Sequence, residues 1–169
     1  MTDTSITVRD TCDADLPAIT DIYNDAVVNT VAVWNNDTVD VGNRRDWLRA
    51  HQIPGTAALT AVDADGRVLG YATYGEFRHY DGFRDTVENS VYVAADARTG
   101  GVGTALMAGL LTRARAGGAH VMVAAIESGN TASLKLHEKL GFATVGILLE
   151  VGTKFGRRLG MTLMQVFLD

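Results

Sequence analysis

Arg98-Thr99-Gly100-Gly101-Val102-Gly103-Thr104 stands between an apolar run, Ser90-Val91-Tyr92-Val93-Ala94, and a stretch of helical periodicity. The order predicts a strand, a tight glycine turn and a helix N-terminus. Three glycines in four positions remove the Cβ atoms that would hold a ligand off the main chain. Consecutive amide N–H groups at a helix start attract an anion. A phosphate or pyrophosphate suits such a turn.

Two familiar phosphate loops fail on spelling. A Walker-type loop ends in Gly-Lys-Ser/Thr, whereas Gly103 is followed by Thr104-Ala105-Leu106. A dinucleotide fingerprint needs a third glycine where Leu106 stands, and an acid after a second strand. The spelling that fits is Arg-x-x-Gly-x-Gly, carried by Arg98, Gly101 and Gly103, and followed by a helix whose Val102, Leu106 and Leu110 share one stripe.

That spelling resembles the acetyl-coenzyme A loop of the GNAT N-acetyltransferase superfamily. The resemblance continues in Asn130-Thr131-Ala132-Ser133-Leu134-Lys135-Leu136-His137-Glu138-Lys139-Leu140-Gly141-Phe142, an Asn followed by a short helix ending in Gly-Phe. Together with Tyr74-Gly75-Glu76-Phe77-Arg78, Thr86-Val87-Glu88-Asn89-Ser90-Val91-Tyr92-Val93 and Gly152-Thr153-Lys154-Phe155-Gly156-Arg157, it is similar to the phosphinothricin and methionine sulfoximine acetyltransferase-like branch. The match runs from Ile6 to about Leu168. It implies an α/β (α+β) fold with a mixed, mostly antiparallel central sheet and helices on both faces.

The 169 residues, 47% of them hydrophobic, suit one domain spanning 1–169 with a single sizeable core. A formal net charge of −5 argues against nonspecific nucleic-acid binding, which needs a basic surface. Cys12, the single cysteine, has no partner for an internal disulfide, and nothing near it resembles a metal-ligand cluster; no metal is expected. Met1 to Ser5 lacks a signal-peptide layout, and no apolar run approaches the ~20 residues that span a bilayer. A soluble cytoplasmic protein that binds neither membrane nor nucleic acid is the expectation.

Along the chain, Ile6–Arg9 alternates like a short strand, and Asp13-Ala14-Asp15-Leu16-Pro17 looks like a capped helix entry with helix to about Asn29. Ile19, Ile22, Tyr23, Ala26 and Val27 supply its apolar stripe. A second helix is expected around 41–51. Strands at 57–61 and 68–72 flank Asp63-Ala64-Asp65-Gly66, a hairpin signal. A longer strand covers 86–95, the glycine-loop helix ends near Gly117-Gly118, and His120–Ile126 is a buried strand by its continuous apolar character. A helix at 131–140 and strands near 142–151 and 158–168 complete the order β-α-α-β-β-β-α-β-α-β-β, which implies a mixed sheet with helices on both faces.

The resemblance implies that the main chain from Thr99 through Gly100, Gly101, Val102 and Gly103 to Thr104, with the Arg98 charge, holds the coenzyme A pyrophosphate. Strand residues Val91, Tyr92 and Val93 would pair with the pantetheine arm and acetyl group like an extra strand. Asn130 would contact the pantetheine or phosphate, and an N-cap role for the following helix is equally open. Acetyl-coenzyme A would be a co-substrate.

Acetyl transfer to an amine needs a neutral nucleophile, a donor to the carbonyl oxygen as it gains charge, and a proton for the departing thiolate. Glu88 is the candidate base; the alternative is a structural pairing with Arg78, Arg84 or another cation. Period-two alternation sets Glu88, Ser90 and Tyr92 on one face of the strand and Val87, Asn89, Val91 and Val93 on the other. Many GNAT enzymes carry a tyrosine where this chain has His137. This histidine is either a proton donor or a packed ring bonded to a backbone group.

For the acceptor, Phe77, Arg78 and Arg84 offer cationic and aromatic groups suited to an α-amino acid analogue, because arginine grips a carboxylate or phosphinate bidentately. The resemblance narrows this to phosphinothricin, methionine sulfoximine or methionine sulfone, although Phe77–Arg84 departs from the Pro-rich spelling of that branch. Trp34 matches an aromatic position that lines the pocket, or is core. Lys154, Arg157 and Arg158 form a basic cluster expected to be solvated, or to meet the partner in the homodimer the family implies. Other readings are an N-acetyltransferase for protein N-termini or polyamines, and a non-enzymatic acyl-coenzyme A sensor.

Overall fold

The structure is a computed structural model that describes residues 5–98 and 100–169. Its centre is a seven-stranded sheet in the order β1-β2-β3-β4-β5-β7-β6. The strands are β1 (Thr7–Asp10), β2 (Ala57–Val62), β3 (Val68–Glu76), β4 (Thr86–Val93), β5 (Val121–Glu127), β6 (Ala143–Lys154) and β7 (Arg157–Phe167). The helices are α1 (Leu16–Asn29), α2 (Val41–Ala50), α3 (Val102–Ala116) and α4 (Thr131–Lys139). Every neighbouring pair is antiparallel except β4 with β5, as the mixed, mostly antiparallel expectation required.

Each helix start has a local cause. Asp40 caps α2 by accepting from the Asn43 amide at 2.8 Å, and Asn130 caps α4 by accepting from the Ser133 amide at 3.2 Å. Gly101, at φ 79°, turns the chain into α3 through the left-handed region where a Cβ is disfavoured. The entry to α1 differs from the expected side-chain cap. Asp15 turns back to take two bonds from Arg9, at 2.7 and 2.8 Å, and one from the Cys12 amide at 2.9 Å.

Helices cover both faces. Val102, Leu106 and Leu110 of α3 form the expected stripe and pack with Met107, Leu59, Ala72 and Met122 in the larger core. On the opposite face, Ile19 and Ile22 of α1 pack on Tyr71, while Leu16 meets Leu48 of α2 over Ala58. β4 thus presents Val87, Val91 and Val93 to the α3 side and Tyr92 to the α1 side. No helix among the described residues is long and apolar enough to cross a membrane.

Candidate active site

β4 and β5 stay in register only from Thr86↔Val121 to Glu88↔Val123, although β4 runs on to Val93 and β5 to Glu127. Beyond Glu88 the strands part, and the β4 main chain is open toward β5. A groove of about 890 Å³ opens there, within the size range of small-molecule sites. Val91, Tyr92, Val93, Arg98, Gly101, Gly103, Thr104 and Asn130 all line it, so most of the expected cofactor residues come together. Gly100 and Val102 lie beside them in the loop and first turn, the Val102 side chain being core. Thr99 lies outside the described residues.

Close packing constrains Gly103, whereas Gly101 is required by its positive φ. A Cβ on Gly103 would stand 3.1 Å from Leu136 Cδ2 of α4 and 3.8 Å from Val93 Cγ2. The first turn of α3 therefore sits hard against α4 with its amides toward the groove, and the helix dipole adds positive potential. Arg98 is half-exposed and lies 3.5 Å from Asp25 of α1, a screened surface pair. Lys135 and Lys139 of α4 and Arg157 of β7 also line the groove, and the sequence reading missed all of these as ligand contacts except Arg98. The lysines share a face with Asn130's helix at i, i+4 spacing, which was the available signal. A cationic rim, a main-chain nest and a free strand edge suit a pyrophosphate with an extended arm.

A smaller cavity of about 70 Å³ fills the fork itself, between Asn89–Tyr92 of β4 and Ala124–Glu127 of β5. Ser133 and His137 of α4 close it. His137 is 1% exposed and lies edge-on to Phe142, with ring centroids 4.9 Å apart. Its Nδ1 donates to the Ser133 carbonyl at 2.8 Å, and its Nε2 lies 3.1 Å from Asn89 Oδ1. Burial pushes its pKa below the usual imidazole value, and the Ser133 carbonyl opposes that shift.

Glu88 occupies the other face of β4. Burial raises its carboxyl above the usual range, and Arg78, with its guanidinium 3.8 Å away, pulls against the rise. Arg78 lies over the Phe77 ring at 4.1 Å, and Phe77 meets Phe83 edge-on at 5.5 Å. Arg84 is exposed beside Asp85, 3.8 Å away. Phe77 and Arg78 thus adjoin Glu88, while Arg84 is turned to its own loop; none of the three lines the groove.

Trp34 also stands off the groove lining. Its indole packs against Gly152, leaving no room for a Cβ there, and its Nε1 donates to the Val31 carbonyl at 2.9 Å. Of the basic cluster, Arg157 and Arg158 are exposed, but Lys154 is not the solvated side chain expected. It is 2% exposed and donates to the carbonyls of Val27 and Val33, tying the end of α1 and the Trp34 loop to β6. Those carbonyls come from the α1 C-terminal turn and its following loop, where a cation is favoured.

This architecture has relatives. Residues 18–142 match the model of the Acetyltransferase (GNAT) family. The chain belongs to the GNAT family. It is 55% identical to an L-methionine sulfoximine/L-methionine sulfone acetyltransferase of Pseudomonas paraeruginosa, over 98% of this chain and 96% of that protein. A Salmonella typhimurium acetyltransferase solved with acetyl-CoA superposes with a TM-score of 0.93 at 48% identity, covering 97% of this chain and 94% of the other. A phosphinothricin acetyltransferase of Sinorhizobium meliloti in complex with acetyl-CoA gives 0.94 at 35% identity, covering 97% and 89%.

Proposed function

We propose that this acetyltransferase moves the acetyl group of acetyl-CoA directly to the amine of a small amino-acid-like acceptor, with both substrates bound at once. Methionine sulfoximine, methionine sulfone and phosphinothricin are the acceptor class, in keeping with the names of the Pseudomonas and Sinorhizobium relatives. The observation that carries the reading is the fork. It opens directly after Glu88, the last β4 residue paired with β5, and its cavity, closed by His137, shares Val91, Tyr92, Glu127 and Asn130 with the cationic groove.

In this reading the α3 first-turn amides, Arg98 and Asn130 hold the anionic and amide groups of acetyl-CoA, and main-chain groups of Val91 to Val93 align its arm. When bound, it supplies the activated acetyl group. The main-chain N–H of Val91 or Val93 stabilises the acetyl oxygen as charge builds on it. Arg78, with Phe77 and Arg84 nearby and Trp34 shaping the adjoining loop, receives the acceptor's acidic end. Glu88 takes a proton from the acceptor nitrogen as that nitrogen bonds to the acetyl carbon. The carbon–sulfur bond breaks, and His137 gives a proton to the sulfur. The raised carboxyl of Glu88 makes it a better base than an exposed glutamate.

A second copy completes the proposed form. β6 is the sheet edge, and along it Val145, Ile147, Leu149 and Val151 are 55%, 57%, 80% and 51% exposed. An apolar edge of that length calls for cover, and a homodimer through β6 supplies it. Action in the cytoplasm, on a small-molecule amine and without a metal, completes the proposal.

Thiol release from acetyl-CoA, with each of the three amino-acid analogues, spermidine and a peptide in turn, tests it. Turnover on the analogues, with kcat about 100-fold lower or less in Glu88→Gln, is the expected outcome. Turnover on spermidine or peptide alone moves the acceptor class. Binding of acetyl-CoA with no turnover on any of the five replaces the enzyme by a sensor.

A further inference from the structure

Asn89 is a polar side chain on the apolar face of β4, 6% exposed among Val87, Val91 and Val93. It stands one residue beyond the last β4–β5 pair, Glu88↔Val123, and its Nδ2 donates across the fork to the Val123 carbonyl at 3.2 Å. That anchor fixes the amide. Rotating it by half a turn would set Oδ1 against the Val123 carbonyl, acceptor against acceptor. The anchored amide directs Oδ1 at His137 Nε2, 3.1 Å away.

His137 Nδ1 faces the Ser133 carbonyl at 2.8 Å, and a carbonyl only accepts. Both ring nitrogens therefore face acceptors, and only a ring protonated on both satisfies both. We propose that Asn89 is a positioning residue for the transfer step, which, anchored on the Val123 carbonyl, keeps a proton on His137 Nε2 for delivery to the departing sulfur. A sulfur gaining negative charge in the fork competes with the neutral Asn89 oxygen for that proton and wins it. The sulfur–hydrogen bond forms as the Nε2–hydrogen bond breaks, and the ring is left neutral.

Burial works against the cation, so the ring is poised between two pulls. The ionisable groups lining the same cavity are Glu127 of β5 and Tyr92 of β4. Glu88 of β4 lies on the opposite face, and Lys135, Glu138 and Lys139 of α4 are exposed. Glu127 favours the cation as well, so the assignment to Asn89 has to be separated from it by substitution.

The inference rests on the acetyltransferase reading for its consequence but not for its measurement. The chain has four histidines, so nitrogen-labelled imidazole resonances of the whole protein can be assigned by losing one in His137→Gln. In the wild type, Nε2 of His137 should take up its proton as the ring charges, with a midpoint below the usual imidazole value because burial lowers it. Asn89→Leu should lower its titration midpoint and reduce kcat about 100-fold, with KM for acetyl-CoA within about threefold. Asn89→Asp, which restores an acceptor, should raise the midpoint above that of the wild type and recover part of kcat, while Glu127→Gln leaves more than half of the Asn89→Leu shift unmatched.

A wild-type His137 whose Nε2 gains no proton before the fold is lost in acid overturns the proposal even if no variant folds. So does an unchanged midpoint in Asn89→Leu, whatever happens to its activity. If wild type turns over none of the acceptors yet the midpoints shift as stated, the acceptor reading fails and the role of Asn89 in holding the proton stands.

Discussion

Gly70→Ala adds one methyl group where the sheet has no space for it. Gly70 pairs with Val93, and a Cβ at that position would stand 2.6 Å from the Tyr92 carbonyl oxygen, 3.2 Å from Val93 Cα and 3.2 Å from Leu106 Cδ1. Two of the three obstacles are main chain, and Leu106 is 0% exposed, so no flexible side chain can yield. Reaching an ordinary contact of 3.4 Å needs a shift of 3.4 − 2.6, about 0.8 Å, of β4 away from β3. Overpacking of that kind costs about 1–3 kcal/mol, and a weakened ladder bond adds about 1 kcal/mol. A total near 3 kcal/mol lowers the melting temperature by about 9 °C in a domain of this size. Because the displaced segment is Tyr92–Val93, affinity for acetyl-CoA should fall with it. Gly146→Ala is the matched control, since Gly146 of β6 has no heavy atom within 4 Å of its would-be Cβ; there the substitution is neutral or stabilises by about 0.5–1 kcal/mol. Thermal unfolding by circular dichroism and calorimetric titration with acetyl-CoA read both quantities. Equal melting shifts in the two variants would refute the close-approach argument.

Acid stability should depend on Asp15. Burial alone would raise its pKa, but the Arg9 guanidinium and the Cys12 amide outweigh burial and hold it below the ordinary 3.8. A depressed carboxyl stabilises the fold above its unfolded pKa and loses that contribution as pH falls through the folded value. Asp15→Asn should therefore cost about 2 kcal/mol near neutral pH, less than a fully buried pair because Arg9 is 40% exposed. The difference from the wild type should shrink in urea titrations below about pH 3, and a constant difference down to pH 2 would contradict the assignment. At the sheet edge, Leu149→Glu should shift sedimentation from dimer to monomer, with circular dichroism unchanged. A wild type that sediments as a monomer at micromolar concentration removes the β6 dimer outright.

The order of elements was legible because each carries its own period. The α3 stripe of Val102, Leu106 and Leu110 and the alternation of β4 are local signals, and both survive in the fold. Strand ends were less legible. β3 continues through Gly75 to Glu76, and β6 through bulges at Thr144/Gly146 and Leu148/Gly152, because pairing with a neighbour outweighs weak local preference. The glycine loop disclosed its groove for the same local reason. Lys154 was misread because its partners, the Val27 and Val33 carbonyls, lie more than a hundred residues away in the chain. Lys135 and Lys139 reach the groove only because α4 crosses the mouth of the fork, and Glu127 because β5 has left β4 there. Asn89 did leave a trace, a lone amide in the row Val87, Val91, Val93, and a polar group in an apolar row has to be satisfied by something.

The separation of Glu88 and His137 follows from the same alternation. Residues one apart on a strand point to opposite faces, so Glu88 faces the α1 and α2 side while Asn89, which contacts His137 of α4, faces the α3 and α4 side, and in the proposed mechanism base and acid are thereby kept apart. In a continuous sheet they would be isolated from each other by β5. The register ends at Glu88↔Val123, one residue before Asn89, and the gap opens where the two faces must communicate. A base and an acid that touched would exchange a proton with each other and neutralise both. In the proposed mechanism, with Glu88 on one face of β4 and His137 of α4 against the other, each meets only its own end of the reaction: the amine on the Glu88 side, the sulfur on the His137 side. The openness of β4 beyond Glu88 is therefore a consequence of where β5 leaves β4, and lengthening that ladder by even one pair would engage Asn89 and narrow the cavity that His137 closes.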